Sequence, residues 1–480
     1  MKKIVVLFMI ATLICSLLCA CGNRTGKVDE SSDTAQNNSG MQQDSDTDQN
    51  NSGMQQDADG NNASLRNDGL RLLSDRYNRS ACVTQNGYYY LTFETAKLRD
   101  GSYGMHLMYM DFASSREIYL CSTAGCMHDS PDCPSVFLQD DFPPLITILF
   151  TIGDNLYILS RDDDRDDSVS QDAITMGGWG ISVESRPAVL YRANLDGTER
   201  KKIYTFDADL TLEDKVFGND KGIYVVTKKL STDKDGSNIY TTSSERKLMF
   251  LDLDSLSLNE VCSMDFGDHI SWKIIGCSQD NFLLCGTDFG RELSQDEKWN
   301  DDVYKELYKN SYNVYALLSR DGGKPKEITR QSNVYMSSAK LLGDSLYLSS
   351  QENQNIEVLD IKTSEKKTLC TLPQNMIMDT LGDRLCCRGW NLADNPVWYF
   401  VDTKTGEITN TPLKILCNGW AVDFRGETAQ DVLFVYDYDA TATGDGSYKI
   451  YQYKHALISK DDLFAGKDNY RSIEMIGSGQ

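Results

Sequence analysis

Histidine is scarce, with four in 480 residues, which leaves little room for a His-rich metal site. Positive charge is also short. Lys and Arg number 48 against 71 Asp and Glu, for a formal net charge of −23. Binding phosphates needs clustered positive charge, so this balance excludes a nucleic-acid ligand and disfavours an anionic membrane surface. The composition also argues against a polytopic membrane protein. No G-x-S-x-G elbow, no sialidase-type Asp-box and no hydrolase domain after the repeats can be found. What is present suits a protein with a real core: 40% apolar and 10% aromatic residues. Length alone would suggest about three domains, but a repeat architecture can fill it as one body.

The first residues read as an address. Met1-Lys2-Lys3 is a short basic start, and Ile4 to Leu18 is almost wholly apolar. This is the n-region and h-region of a secretory signal, too short for a comfortable membrane span. Leu18-Cys19-Ala20-Cys21 follows and resembles the lipobox of bacterial lipoproteins. The resemblance implies a signal peptide over residues 1–20 and a lipid on Cys21. Loss of Lys2 and Lys3 with the leader takes the formal charge from −23 to −25. Acyl chains would then supply the membrane anchorage that an acidic surface cannot, on the outer, extracytoplasmic face of the membrane. Residues 21–66 are rich in Asn, Gln, Asp, Ser and Gly, with the nonapeptide QNNSGMQQD at both 36–44 and 49–57. Such a segment cannot bury enough surface to offset ordering, and it reads as a disordered spacer. Its r.m.s. reach as a coil is roughly 35 Å.

From about residue 70 one unit recurs. A tight turn of Gly, Asn or Asp leads into a short aromatic and β-branched strand. The seven copies start at Gly87, Asn155, Gly222, Asn281, Ser345, Arg384 and Asp431. A strand precedes each turn, as at Ile146 to Ile152 and Trp272 to Gly276, and a later strand ends on Asp and a polar turn. The later strands ending at Asp111 through Asp402 recur about 58 residues apart. Four strands per unit at such a period predict a single all-β propeller over residues 67–480. Seven four-stranded blades are expected, with six or eight as alternatives.

Residues 87–158 resemble a family of Gram-positive surface lipoproteins with TolB-like propeller domains. The likeness is carried by Gly87-Tyr88-Tyr89-Tyr90, Leu120-Cys121, Cys126-Met127-His128-Asp129, Cys133 and Asp154-Asn155-Leu156-Tyr157. The ending Ile458 to Phe464 with Tyr470 to Ile473 is similar too. The resemblance spans roughly residues 70 to 480, is specific only at the Cys/His segment, and implies no settled activity.

In an antiparallel blade the loop between strands two and three leaves the same end as the link to the next blade. Three insertions of the first kind, residues 161–189, 228–247 and 287–313, are therefore expected on one face, where binding sites usually sit. That face would also carry the Cys/His segment and the candidate ligand residues Trp179, Trp299, Trp390 and Trp420. These tryptophans suit sugar stacking or core packing. The run Asp162 to Asp167 lacks full EF-hand spacing, so calcium is not expected there. Trp299, Val303 and Leu307 recur every four residues, which predicts a helix over 294–310, packed on the rim or acting as a lid.

Cys121-x4-Cys126-x-His128-x4-Cys133 is the most specific chemical feature. Three thiols and one imidazole can close tetrahedrally on zinc, with Asp129 and Asp132 near enough to orient ligands. The alternatives are a disulfide within the group or with Cys82, or inert thiols. Cys262, Cys277, Cys285, Cys370, Cys386, Cys387 and Cys417 lie in or beside apolar strands and read as small core residues. His106, His269 and His455 read as strand or loop residues. The expected function is a lipid-anchored, non-enzymatic propeller that binds a protein or carbohydrate through its loop-rich face. The alternatives are a metal- or redox-handling surface protein, or a polysaccharide hydrolase or lyase.

Overall fold

The computed structural model describes residues 69–476, apart from 75–79, 93–94, 140, 143–146, 161–186, 236–237, 295–296, 299, 334–336, 351–352, 374–375, 390–396 and 443–447. The strands fall into seven antiparallel sheets. Each of the seven turn-and-strand units is the second strand of one sheet, from Gly87–Leu91 in the first blade to Asp431–Ala442 in the seventh. The expected seven-bladed propeller is the observed architecture.

The second strands alternate between two seams. Ile223 and Val225 pack toward the second blade, while Tyr224 and Val226 pack toward the fourth. That is the period of two of a strand buried on both faces. Cys386 and Cys387 divide in the same way between the 6/7 and 5/6 seams. Every pair of neighbouring blades, including the seventh and first, encloses its own apolar cluster. Seven seams for seven blades make the ring closed.

Local chemistry sets the turns. Gly153, Gly343 and Gly382 take φ of 56°, 58° and 60° between first and second strands, the left-handed region that a two-residue hairpin requires. At the end of the third strands Asp111, Asp252, Asp360 and Asp402 each accept backbone N–H bonds from the following turn. This is the Asx chemistry that made Asp recur in the sequence.

The blades give the ring two unlike ends, a turn end and an insertion end. In the third blade the first strand (Val216–Gly218) reaches the turn end at Gly218, and the second runs from Gly222 to the opposite end. Arg71–Ser74 is an extra strand on the inner edge of this blade, antiparallel, with Arg71 opposite Gly218. It borders a cavity of about 340 Å³ in the centre of the ring, lined also by Cys82, Thr151 and Arg425. Leu70 N–H donates to the Gln279 carbonyl, and Arg71 pairs with Asp220 at 2.9 Å. Both partners sit in first turns, so the chain enters the ring from the turn end.

Closure uses the C-terminal segment. Beyond the last strand (Tyr470–Ser472), Glu474 bridges to Arg116 on the outer strand of the first blade, Arg116–Tyr119. Among the described residues no helix is long and apolar enough to cross a membrane.

Candidate functional site

The Cys/His segment is an excursion from one strand edge. Arg116–Tyr119 and Val136–Leu138 both pair with the strand Tyr103–Asp111, on consecutive stretches of it. Residues 120–135 leave between them at the insertion end, since Asp111 lies opposite Gly87 at the turn end and Met108 opposite Tyr119. The excursion thus has two fixed feet. Its interior is thinly packed: a small cluster of Leu98, Cys133 and Val136, with Cys121, Cys126 and Leu138 against it.

This fold brings the four sequence candidates together. One donor atom each of Cys121, Cys126, His128 and Cys133 lies within 4.8 Å of all the others. His128 Nδ1 is 3.5 Å from Cys133 Sγ. The His128 backbone N–H donates to Cys126 Sγ at 3.4 Å, and Ser135 Oγ is 3.1 Å from Cys133 Sγ. His128 takes φ of 56°, uncommon for a residue with a side chain. That conformation is held by its surroundings. Tyr119 stacks on the imidazole at 4.3 Å, and the His128 carbonyl accepts from His106 Nε2 at 2.8 Å. A carbonyl only accepts, so His106 carries its proton on Nε2.

Burial pushes the Cys133 thiol up to about 11 and, with His106 nearby, holds the His128 imidazole down. Burial also acts to raise Cys121, but hydrogen bonds with Thr123, Cys133 and Cys126 outweigh it and lower that thiol. Asp129 does not orient a ligand as the sequence suggested. Its carboxylate is taken by Arg99, with Nη2 to Oδ1 at 2.9 Å. His106 is the partner that sequence reasoning missed, because 22 residues separate it from the carbonyl it binds. The described cysteines are free thiols, and Cys82 packs with Tyr89 and Leu91 in the 1/2 seam.

The rest of the insertion end departs from expectation in three places. Residues 228–247 are a continuation of the blade instead of a loop, with pairing running unbroken in direction out to Asp235 opposite Asn238. Ser231-Thr232 and Tyr240-Thr241-Thr242 are strand formers flanking an Asp235-Gly236 turn signal, which the acidic character of 233–238 obscured. The helix α1 (Asp301–Lys309) falls within the expected span, where residues 297–298 are also helical. Asn300 caps it by accepting from the Val303 N–H at 3.2 Å. None of its residues is buried, so it does not pack on the rim as a core helix would. Among the described residues its ring contact to the blade is Tyr304 to Phe289 at 5.7 Å. Third, Cys417 is exposed, unlike the other cysteines read as core residues. It sits in a tight link between the sixth and seventh blades, where Ile415 N–H donates to the Trp420 carbonyl.

Trp420 is half-buried in that link. Trp179, Trp299, Trp390, Cys21 and the Asp162–Asp167 run lie outside the described residues. A signal the sequence did not flag is apolar exposure. The four most exposed large apolar side chains among the described residues are Met127 (74%), Leu416 (66%), Tyr103 (51%) and Tyr312 (48%). Met127 is in the Cys/His excursion, Leu416 is in the 6/7 link, and Tyr103 and Tyr312 begin third strands. All four positions are at the insertion end.

No family model and no curated protein matches the chain. Solved structures do resemble it. An oligogalacturonate lyase in complex with manganese aligns at TM-score 0.41 and 12% identity, over 76% of this chain and 87% of its own. TolB from Acinetobacter baumannii aligns at 0.32 and 13%, over 78% of each chain. A puromycin hydrolase aligns at 0.45 and 10%, over 84% of this chain, which spans about half of that enzyme's length at 53%.

Proposed function

We propose that the chain is a lipid-anchored, extracytoplasmic propeller that binds a partner protein or a carbohydrate through its insertion end, without catalysing a reaction. The observation that carries this reading is the concentration of exposed Met127, Leu416, Tyr103 and Tyr312 at one end of the ring. The turn end offers Leu256 at 37%, and Leu72 (43%) on the entry strand and Ile118 (45%) on the outer strand of the first blade are less exposed than any of the four. Scattered exposed apolar residues mean little, but several at one end of a rigid scaffold mark a contact surface. An anchor on Cys21 would tether the ring to the membrane through residues 22–66 without fixing which end faces outward.

The test uses a photo-crosslinking amino acid at position 312 or 416, with position 256 as control, in cells carrying the full chain. A discrete adduct from 312 and from 416, absent from 256, is expected, with the adduct from 312 lost on Leu416→Asp. Equal labelling from both ends, or none from either, would sink the partner reading. Cell fractionation of Cys21→Ala checks the anchor separately, and release of the protein from the membrane is the expected outcome.

A second reading, metal handling at the surface, is favoured by the Cys121, Cys126, His128 and Cys133 cluster, whose donors suit zinc.

A further inference from the structure

We propose that Cys121, Cys126, His128 and Cys133 form a closed tetrahedral zinc site that clips the excursion 120–135 onto the edge of the first blade. The inference deepens the metal reading and rests on it, while standing apart from the partner reading. Zinc bound to thiolates at about 2.3 Å sets its sulfurs about 3.8 Å apart. The four donor atoms are already gathered within 4.8 Å of one another, with the His128 Nδ1 to Cys133 Sγ edge at 3.5 Å. Three soft thiolates and one imidazole select a tetrahedral, redox-silent ion over the hard cations that carboxylates prefer.

The surroundings are those of ligands held in place before the ion arrives. The His128 N–H points at Cys126 Sγ, and the Ser135 hydroxyl is within 3.1 Å of Cys133 Sγ, so both can donate to thiolates. Tyr119 fixes the imidazole plane, and His106 fixes the backbone that carries it. Outer contacts of this kind orient ligands and raise affinity. On binding, three S–H protons leave to solvent as three Zn–S bonds form. The neutral imidazole adds the fourth bond, and the centre carries a net charge of −1.

Four protein donors leave no open coordination position, which separates a structural site from a catalytic one. The mechanical need is visible. The excursion has feet in two strands and buried ends at Leu120, Cys133 and Ser135, yet its middle, residues 122–132, contributes no buried side chain. Met127, the most exposed large apolar residue among those described, lies in sequence between two of the four ligands. The ion would therefore set the position of Met127.

The experiment uses the full chain purified in detergent without added metal or chelator, compared with Cys126→Ser and His128→Ala. Both substitutions fall on half-buried positions, and far-UV circular dichroism checks that each variant folds. Zinc per chain is measured with free thiols. Cobalt-loaded protein is titrated with imidazole, and proteolysis of 120–135 is followed with and without chelator. One zinc per chain is expected, lost in both variants. A cobalt–thiolate spectrum indifferent to imidazole, and cleavage within 120–135 only after chelation, are also expected. Absence of zinc with a deficit of two thiols would overturn the metal reading and the clip together. Zinc retained in His128→Ala, with a cobalt spectrum that shifts on adding imidazole, would leave a metal site standing and overturn the closed clip.

Discussion

His455 is the residue whose ionisation matters most to the ring. It is buried in the 7/1 seam beside the stacked rings of Tyr88 and Tyr90, at 6.2 and 6.4 Å, and its Nδ1 has no hydrogen-bond partner. Burial, and then the Arg425 guanidinium, push its pKa down to about 3. An unfolded histidine titrates near 6.5. Between those values the unfolded chain holds a proton that the folded chain refuses, so stability falls as pH falls through 6.5 toward 3. At pH 5 the loss from this one group is about 2 kcal/mol. His455→Leu should flatten that part of the pH profile, because the orphaned nitrogen goes with the charge. Urea denaturation at pH 7.5 and pH 5 measures it. Equal pH sensitivity in variant and wild type would show that other groups govern the acid limb. The four cysteines and histidines of the excursion were legible as a set because they fall within thirteen residues. His106 and Tyr119, which hold His128, carry no such local signature.

The elements that close the ring are short and lie far apart in sequence. The tail at Glu474 pairs beside Arg116, 358 residues away. Glu117 is the buried anchor of this latch. Its carboxylate accepts from the Ile476 N–H at 2.8 Å and from the Tyr90 hydroxyl, while burial raises its pKa against both bonds. Glu117→Ala should cost about 2–3 kcal/mol, since it strands a tyrosine hydroxyl and a backbone N–H. Glu117→Gln should cost less. Denaturation midpoints give the energies, and faster hydrogen exchange at Ile476 would place the loss at the latch. An alanine variant as stable as wild type would mean that the tail merely lies on the blade. Sequence pattern located the second strand of every blade, because turn chemistry and two-sided apolar alternation are both local. It did not reveal the outer half of the hairpin Gly222–Asp252 or the strand Arg71–Ser74. The former has polar residues on both faces, and the latter is four residues whose partner lies some 145 positions on. Strand formation is written locally, whereas pairing is settled by what remains unpaired after the ring assembles.

At the scale of the molecule, the four core strands of each blade come from one continuous stretch, and among the described residues no sheet joins strands from the two ends of the chain. The N-terminal strand serves elsewhere, on the inner edge of the third blade. Leu70 is buried in the 3/4 seam, and Leu72 and Leu73 border the central cavity. This arrangement separates two functions of the N-terminal region. Residues 21–66 read as spacer, and Leu70–Ser74 are part of the folded body. Removing residues 1–66 should leave the thermal midpoint within a degree or two of that of the intact chain. Removing residues 1–74 should lower stability by about 2–4 kcal/mol, from the lost leucine burial and ladder bonds. The inner edge of Val216–Gly218 would be exposed as well, and an unpaired strand edge favours association. Calorimetry and sedimentation of the two truncations distinguish these cases. If both melt alike and stay monomeric, the strand is dispensable to the ring. If only the longer truncation loosens and associates, Leu70–Ser74 belong to the folded body and cover the inner edge of the third blade.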